Sequence, residues 1–151
     1  MTDHPLKISI TDAMKDAMRA KDKPRLSTVR LMLSELKRIE VDERIDLPED
    51  RIISILDKMI KQRRDSVKQY TDGDRLDLAN IESAEIEMIQ EFMPAAMSEE
   101  EITAIVNKAT TDSGATSMQD MGKVMNEVRP QLAGRADMAV VSKLVKQLLS
   151  N

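Results

Sequence analysis

Apolar residues recur at three- and four-residue spacing over most of the chain, and no stretch alternates with the period of two that a half-buried strand requires. The strongest pattern lies between Pro48 and Met93. Ile53, Leu56, Ile60, Val67 and Tyr70 form one stripe, and Leu78, Ile81, Met88, Ile89 and Phe92 form a second. Thr71, Asp72 and Gly73 mark a turn between them. Each stripe must be buried against something, so the pattern predicts two long antiparallel helices joined as a hairpin.

Charge interrupts both stripes. At about 100° per residue, Arg63 falls near the middle of the first and Glu85 near the middle of the second, while Lys61 and Arg64 project from a wetter side. Pairing residues equidistant from Asp72 sets Arg63 opposite Ile81 and Glu82, about one helical turn from Glu85. A buried guanidinium without an anion is costly, so Arg63 is expected to pair with Glu82 or Glu85. The pair reads as architecture, because internal ion pairs are ordinarily structural.

Upstream of the hairpin, a first helix is expected from Ser9 or Thr11 to about Ala20, with Ile10, Met14, Ala17 and Met18 inward. Lys21, Asp22, Lys23 and Pro24 interrupt it and open a second helix, since proline fits a first turn far better than a helix interior. Leu26, Val29, Leu33 and Leu36 are the stripe of that helix, which fades from Glu40 to Arg44; Arg30, Lys37 and Arg38 could touch phosphate, but a solvated polar face is the better reading.

Downstream, Pro94 ends the hairpin, and Ser98 with Glu101 reads as a capping box for a helix carrying Ile102, Ile105, Val106 and Ala109. Ser117 and Asp120 open another, with Met118, Met121, Val124, Met125 and Val128 inward. Gly122 inside it points to close helix packing as the compensation for lost helicity. Pro130 and Gly134 separate that helix from a last one, capped by Asp137 and carrying Val140 or Val141, Leu144, Val145, Leu148 and Leu149. The expected fold is all-α: an amino-terminal helical bundle with the long antiparallel hairpin over residues 1–94, then a small three-helix domain over residues 95–151.

Composition removes several chemistries. The chain is 41% hydrophobic but only 1% aromatic, with 12 Met and no Trp, so aliphatic and Met packing must supply the core. There is no Cys and one His, His4, which leaves disulfides, thiol catalysis, an ordinary zinc site and a His-based triad without residues. Gly114 to Ser117 and Gly134 to Asp137 lack phosphate-loop spacing and read as helix boundaries. Glu82 with Glu85, and Glu99 to Glu101, lack the histidines and cleft that a metal or catalytic pair needs. No cofactor and no metal is expected. Without a signal-peptide core or an apolar run near the roughly 20 residues of a membrane span, no membrane association is expected and the location is read as cytoplasmic.

The net charge of -4 argues against a wholly basic nucleic-acid coat, yet one basic run stands out. Lys58, Lys61, Arg63, Arg64 and Lys68 lie on one predicted helix, and Lys61, Arg64 and Lys68 share a side from which they can contact several phosphates. Asp57 and Asp65 partly neutralise it. With almost no aromatic residues for stacking, backbone or shape recognition is the nucleic-acid mode that fits, with no DNA preference inferred.

The order of features resembles the YqeY family, which is similar to the tail region of the B subunit of the aspartyl/glutamyl-tRNA amidotransferase. The resemblance rests on Lys21-Asp22-Lys23 with Arg25 to Arg30, on Lys61 to Ser66, on Asp77-Leu78-Ala79 followed by Glu82 and Glu85, and on Phe92-Met93-Pro94. In the tail it rests on Met121 to Met125 and Gly134 to Asp137. It implies an association with tRNA or a tRNA-processing protein, but the large catalytic region of the amidotransferase subunit has no counterpart here. The expectation is therefore a non-catalytic, tRNA-directed helical adaptor. Its candidate RNA contacts are Lys61, Arg64 and Lys68, extended by Lys123, Arg135, Lys143 and Lys146. Two alternatives stand beside it: a protein-interaction module whose Met-rich apolar groove takes a helical partner, and a carbon-nitrogen ligase with glutamine as nitrogen donor that depends on a partner for its chemical centre.

Overall fold

The first helix starts ahead of its apolar stripe. In a computed structural model describing residues 4–132 and 134–150, His4 is the amino-terminal cap of α1 (Pro5–Ala20), its Nδ1 accepting the Leu6 N–H at 3.3 Å. Pro5 follows, where its missing N–H costs nothing. The start expected at Ser9 or Thr11 is thus moved one to two turns earlier by a histidine cap, a residue outside the usual Ser/Thr/Asp/Asn set.

Lys21 adopts a left-handed φ of 57° and closes α1, and the Asp22 side chain accepts the Arg25 N–H at 3.2 Å to open α2 (Lys23–Glu43). This two-residue connection, Lys21 and Asp22, lets α1 and α2 pack along each other. Arg44, with φ 55°, ends α2, and Pro48 precedes α3 (Glu49–Asp72), whose first turn carries Glu49 and Asp50 against the positive end of the helix dipole.

α3 and α4 (Leu76–Gln90) form the hairpin and make the most extensive helix contact in the chain. The left-handed residue of their turn is Asp74, with φ 60°, while Gly73 has an ordinary φ of -86°. The buried arc of α3 is wider than the expected stripe: Ile52, Ile55 and Met59 join Leu56 and Ile60, and Ile53 sits at its half-buried edge. On α4 the expectation for Ile81 is corrected, since that side chain is 56% exposed; Ala79 and Ile89 are the buried residues, and Ile86 packs beside them. Ile10, Val29, Met32, Leu36, Leu56 and Ile89 together form a core to which all four helices contribute.

α5 (Glu99–Asp112) begins at Ser98, whose Oγ accepts the Glu101 N–H at 3.2 Å. A single 3-10 turn (Met118–Asp120) leads into α6 (Met121–Leu132), and α7 (Met138–Leu149) starts at Asp137, whose carboxylate accepts the Ala139 N–H at 3.0 Å. Val106, Val124, Val128, Leu132, Val141 and Val145 form the core of these helices.

Two expectations are corrected here. Pro130 lies inside α6 rather than ending it. Its position is exposed and the helix runs only two residues further, so the carbonyl it leaves unbonded can be hydrated. Gly122 has open space around the position of a Cβ, so no neighbouring helix requires glycine there.

The chain divides into two compact units, Met1–Met93 and Pro94–Asn151. The all-α expectation holds: seven α-helices are present and no strand occurs among the described residues.

Candidate functional site

α3 presents two opposed polar features on one rigid rod. On the inward side Arg63 follows Leu56, Met59 and Ile60 into the hairpin, where its Nε donates to Glu85 Oε2 at 2.8 Å and an Nη donates to the Met59 carbonyl at 3.3 Å. The two side chains keep only 14% and 22% of their exposure. Glu82 is half-buried and carries no ion pair. The turn explains which carboxylate is chosen: its centre lies at Asp74, two residues later than Asp72, and that moves the residue facing Arg63 from Ile81 and Glu82 to Glu85.

On the outward side, Lys61, Arg64 and Lys68 are all exposed. They span about 10 Å along the helix axis, at a rise of about 1.5 Å per residue. Lys61 Nζ lies 3.1 Å from Oδ2 of the half-buried Asp57, one turn away, whereas Arg64 and Lys68 have no carboxylate partner. Surface pairs of this kind contribute between about 0 and 1 kcal/mol, so an incoming phosphate can displace Asp57 from Lys61 at little cost.

The remaining candidates lie in the second unit. Lys143 and Lys146 are exposed on α7, a helix without a carboxylate, and Lys123 is exposed in the first turn of α6. Lys123 acts electrostatically on Asp120, whose carboxyl is held below its ordinary value chiefly by the backbone N–H groups of Thr116 and Ser117, which donate to Oδ2 at 2.9 and 3.3 Å. Arg135 is already used within the unit: its Nε donates to the Ala95 carbonyl at 3.3 Å, and its own carbonyl accepts the Met97 N–H at 2.9 Å. It fixes residues 95–97 against the start of α7, which leaves part of its guanidinium for a ligand.

Arg38 is neutralised within α2. It donates to both Glu35 oxygens, at 2.6 and 3.2 Å, and to Asp42 at 3.2 Å, and the first of these contacts pulls the Glu35 carboxyl below its ordinary value. The most buried of the partnerships that the sequence pattern passed over lies between α1 and α2. Glu40, taken as the point where the α2 stripe fades, is buried and meets Lys7 of α1 at 2.8 Å. Its inward position was legible in the spacing Val29, Leu36, Glu40, but a carboxylate at the end of a stripe reads as the onset of a charged surface. No group of three or more metal-ligating side chains occurs among the described residues, and none of the described helices is long and apolar enough to cross a membrane.

The family model for Yqey-like protein matches residues 7–149, across both the hairpin cations and the second unit. This chain belongs to the YqeY family. The YqeY domain also occurs in carboxy-terminal regions of the amidotransferase B subunit. The YqeY chain is 35% identical over 115 residues to Altered inheritance of mitochondria protein 41, mitochondrial, of Vanderwaltozyma polyspora, covering 72% of this chain and 62% of that protein. Against the protein of the same name from Lachancea thermotolerans it is 39% identical over 103 residues, covering 66% and 54%. Against that of Clavispora lusitaniae it is 32% identical over 141 residues, covering 89% and 82%. The matched region thus spans little more than half the length of the first two relatives. All three relatives are mitochondrial by name, which overturns the expectation of a cytoplasmic location.

Proposed function

We propose that this YqeY-family chain is a non-catalytic helical adaptor for tRNA, in which Lys61, Arg64 and Lys68 contact backbone phosphates along one side of α3. The observation that carries this reading is the placement of Arg64 and Lys68, exposed, about one turn apart and without carboxylate partners, on a helix held from its other side by the Arg63–Glu85 pair. A helix held in this way loses little freedom when its surface cations engage an anion. Occurrence of the same domain in a subunit of an enzyme that acts on charged tRNA supports tRNA as the class of RNA. The scarcity of aromatic side chains favours reading of backbone and shape over base stacking. Lys143, Lys146 and Lys123 are a secondary cation set on the second unit.

The test is fluorescence anisotropy with intact tRNA and an unstructured RNA of equal length. The wild-type chain is compared with the Lys61→Ala/Arg64→Ala/Lys68→Ala variant, whose folding is checked by circular dichroism. Preference for tRNA, and its loss in the folded triple variant, is the expected outcome. Binding that the three substitutions leave unchanged removes the site, and no binding to either RNA at low salt removes the function.

A further inference from the structure

A second cation set lies on α2, and its surroundings differ in kind from those of α3. Lys23, Arg30 and Lys37 recur every seven residues, so they form a column along the outer face of the helix with steps of about 10 Å. All three are exposed and none has an ion pair, although Arg25 and Arg38 of the same helix are both paired with carboxylates. The residues three and four positions from Arg30 are Leu26, Ser27, Leu33 and Ser34, so its own helix offers it no anion.

The column borders an apolar surface. Troughs of about 350 and 620 Å³ adjoin along α2, sharing Arg30 and Ser34. The first is lined by Leu26 and Leu31, and the second by Leu33 and Val41 together with Met14 of α1 and with Arg38 and Asp42, which pair with each other at 3.2 Å. Leu31 is 46% exposed and Val41 61% exposed, while the buried face of the same helix is supplied by Val29, Met32 and Leu36. Leu33 and Met14 are half-buried and pack against the core of the unit, so the apolar side chains of this face with no cover in it are Leu31 and Val41, and the unpaired cations run between the apolar positions.

We propose that this face of α2 docks an acidic amphipathic helix of a partner protein, its apolar ridge lying in the trough and carboxylates at seven-residue spacing meeting Lys23, Arg30 and Lys37. Charge complementarity fixes the sign of the occupant. The apolar floor fixes its class, because a phosphate backbone has no surface with which to cover Leu31 and Val41, whereas a helix in a groove buries such side chains. Ser27 and Ser34 are small enough to let another helix approach closely. A second copy of this chain fits less well, because none of its helices carries carboxylates at three successive seven-residue steps. The surface is separate from the α3 cations, and the proposal stands whether or not those bind RNA.

The probe is a side-chain-stapled synthetic helix of about five turns, roughly 18 residues, with Glu at every seventh position and Leu in the adjoining column. Its counterpart carries Gln in place of Glu, and intact tRNA is titrated in parallel. The full chain is expected to bind the Glu helix at least about tenfold more tightly than the Gln helix, with the advantage shrinking as salt rises. Arg30→Ala/Lys37→Ala is expected to remove that advantage, and Lys61→Ala/Arg64→Ala/Lys68→Ala to leave it intact. The charge-reversed Arg30→Glu/Lys37→Glu chain is expected to prefer a Lys version of the helix, which separates docking from loss of folding. Equal affinity for the Glu and Gln helices, or an advantage that survives Arg30→Ala/Lys37→Ala, overturns the proposal. So does a loss of tRNA binding in Arg30→Ala/Lys37→Ala without loss of the Glu helix, which assigns the face to RNA.

Discussion

Arg63 and Glu85 lie at equal distances in sequence from Asp74, the left-handed residue of the hairpin turn, and their side chains meet at 2.8 Å across the two helices. The turn sets the register, and the register selects the carboxylate. Removing the guanidinium leaves a largely buried Glu85 without its cation, so Arg63→Ala is expected to cost about 2 kcal/mol, below the full value for a buried pair because both side chains retain some solvent contact. Lys61→Ala, on the opposite side, is expected to change stability by no more than about 0.5 kcal/mol. Urea unfolding of the two variants makes the comparison, and equal losses would contradict the division of α3 into a structural and a solvent-facing side.

The Lys7–Glu40 pair makes a parallel case between α1 and α2. Glu40 keeps 7% of its side-chain exposure and Lys7 keeps 21%, so Lys7→Met leaves a buried carboxylate and is expected to destabilise by roughly 2 kcal/mol. Lys7→Met/Glu40→Leu is expected to recover most of that loss, since an apolar pair of similar volume replaces a desolvated ionic one. A double variant weaker than Lys7→Met alone would show that Glu40 serves another partner.

These two pairs show what was legible in the sequence. Arg63 stood inside a long apolar stripe with candidate anions on the next helix, so the existence of a pair followed from the cost of an unpaired buried charge. Its partner depended on where the turn is centred, a backbone property that Thr71, Asp72 and Gly73 misplace because the left-handed residue is an aspartate. Glu40 was missed because it ends its stripe rather than interrupting it. Periodicity located the helices themselves, but the histidine cap at His4 and the proline within α6 moved two boundaries. The exposed cations of α3 followed from helical spacing alone; which of them lack a carboxylate partner, Arg64 and Lys68 but not Lys61, did not.

Gly122 tests local backbone energetics. Its helical conformation and open surroundings mean that a methyl group meets no atom, so Gly122→Ala is expected to raise stability by about 0.5 kcal/mol through reduced unfolded-state freedom and better helix propensity. Thermal unfolding reads this directly. A fall in melting temperature would mean that a neighbour closes on this position in solution.

Asp120 gives the chain an acid-sensitive element. Its carboxylate accepts the backbone N–H groups of Thr116 and Ser117, which lower its pKa in the folded state. The stabilisation is therefore present above the ordinary aspartate value and is lost as pH falls through the lowered folded-state value. A carboxyl-carbon NMR titration is expected to place the Asp120 midpoint below the roughly 3.9 of an unperturbed aspartate. Asp120→Asn is expected to remove that part of the acid dependence. A midpoint at or above the ordinary value would contradict the turn geometry.

Phosphate contact by α3 is tested most directly by the salt dependence of tRNA affinity. Each cation that neutralises a phosphate contributes about 0.7 to 0.9 to the slope of log affinity against log salt. The folded Lys61→Ala/Arg64→Ala/Lys68→Ala variant is expected to bind tRNA more weakly, with a slope shallower by about two to three. A wild-type slope near zero, or a slope that the three substitutions leave unchanged, would contradict the assignment of these residues to the RNA backbone.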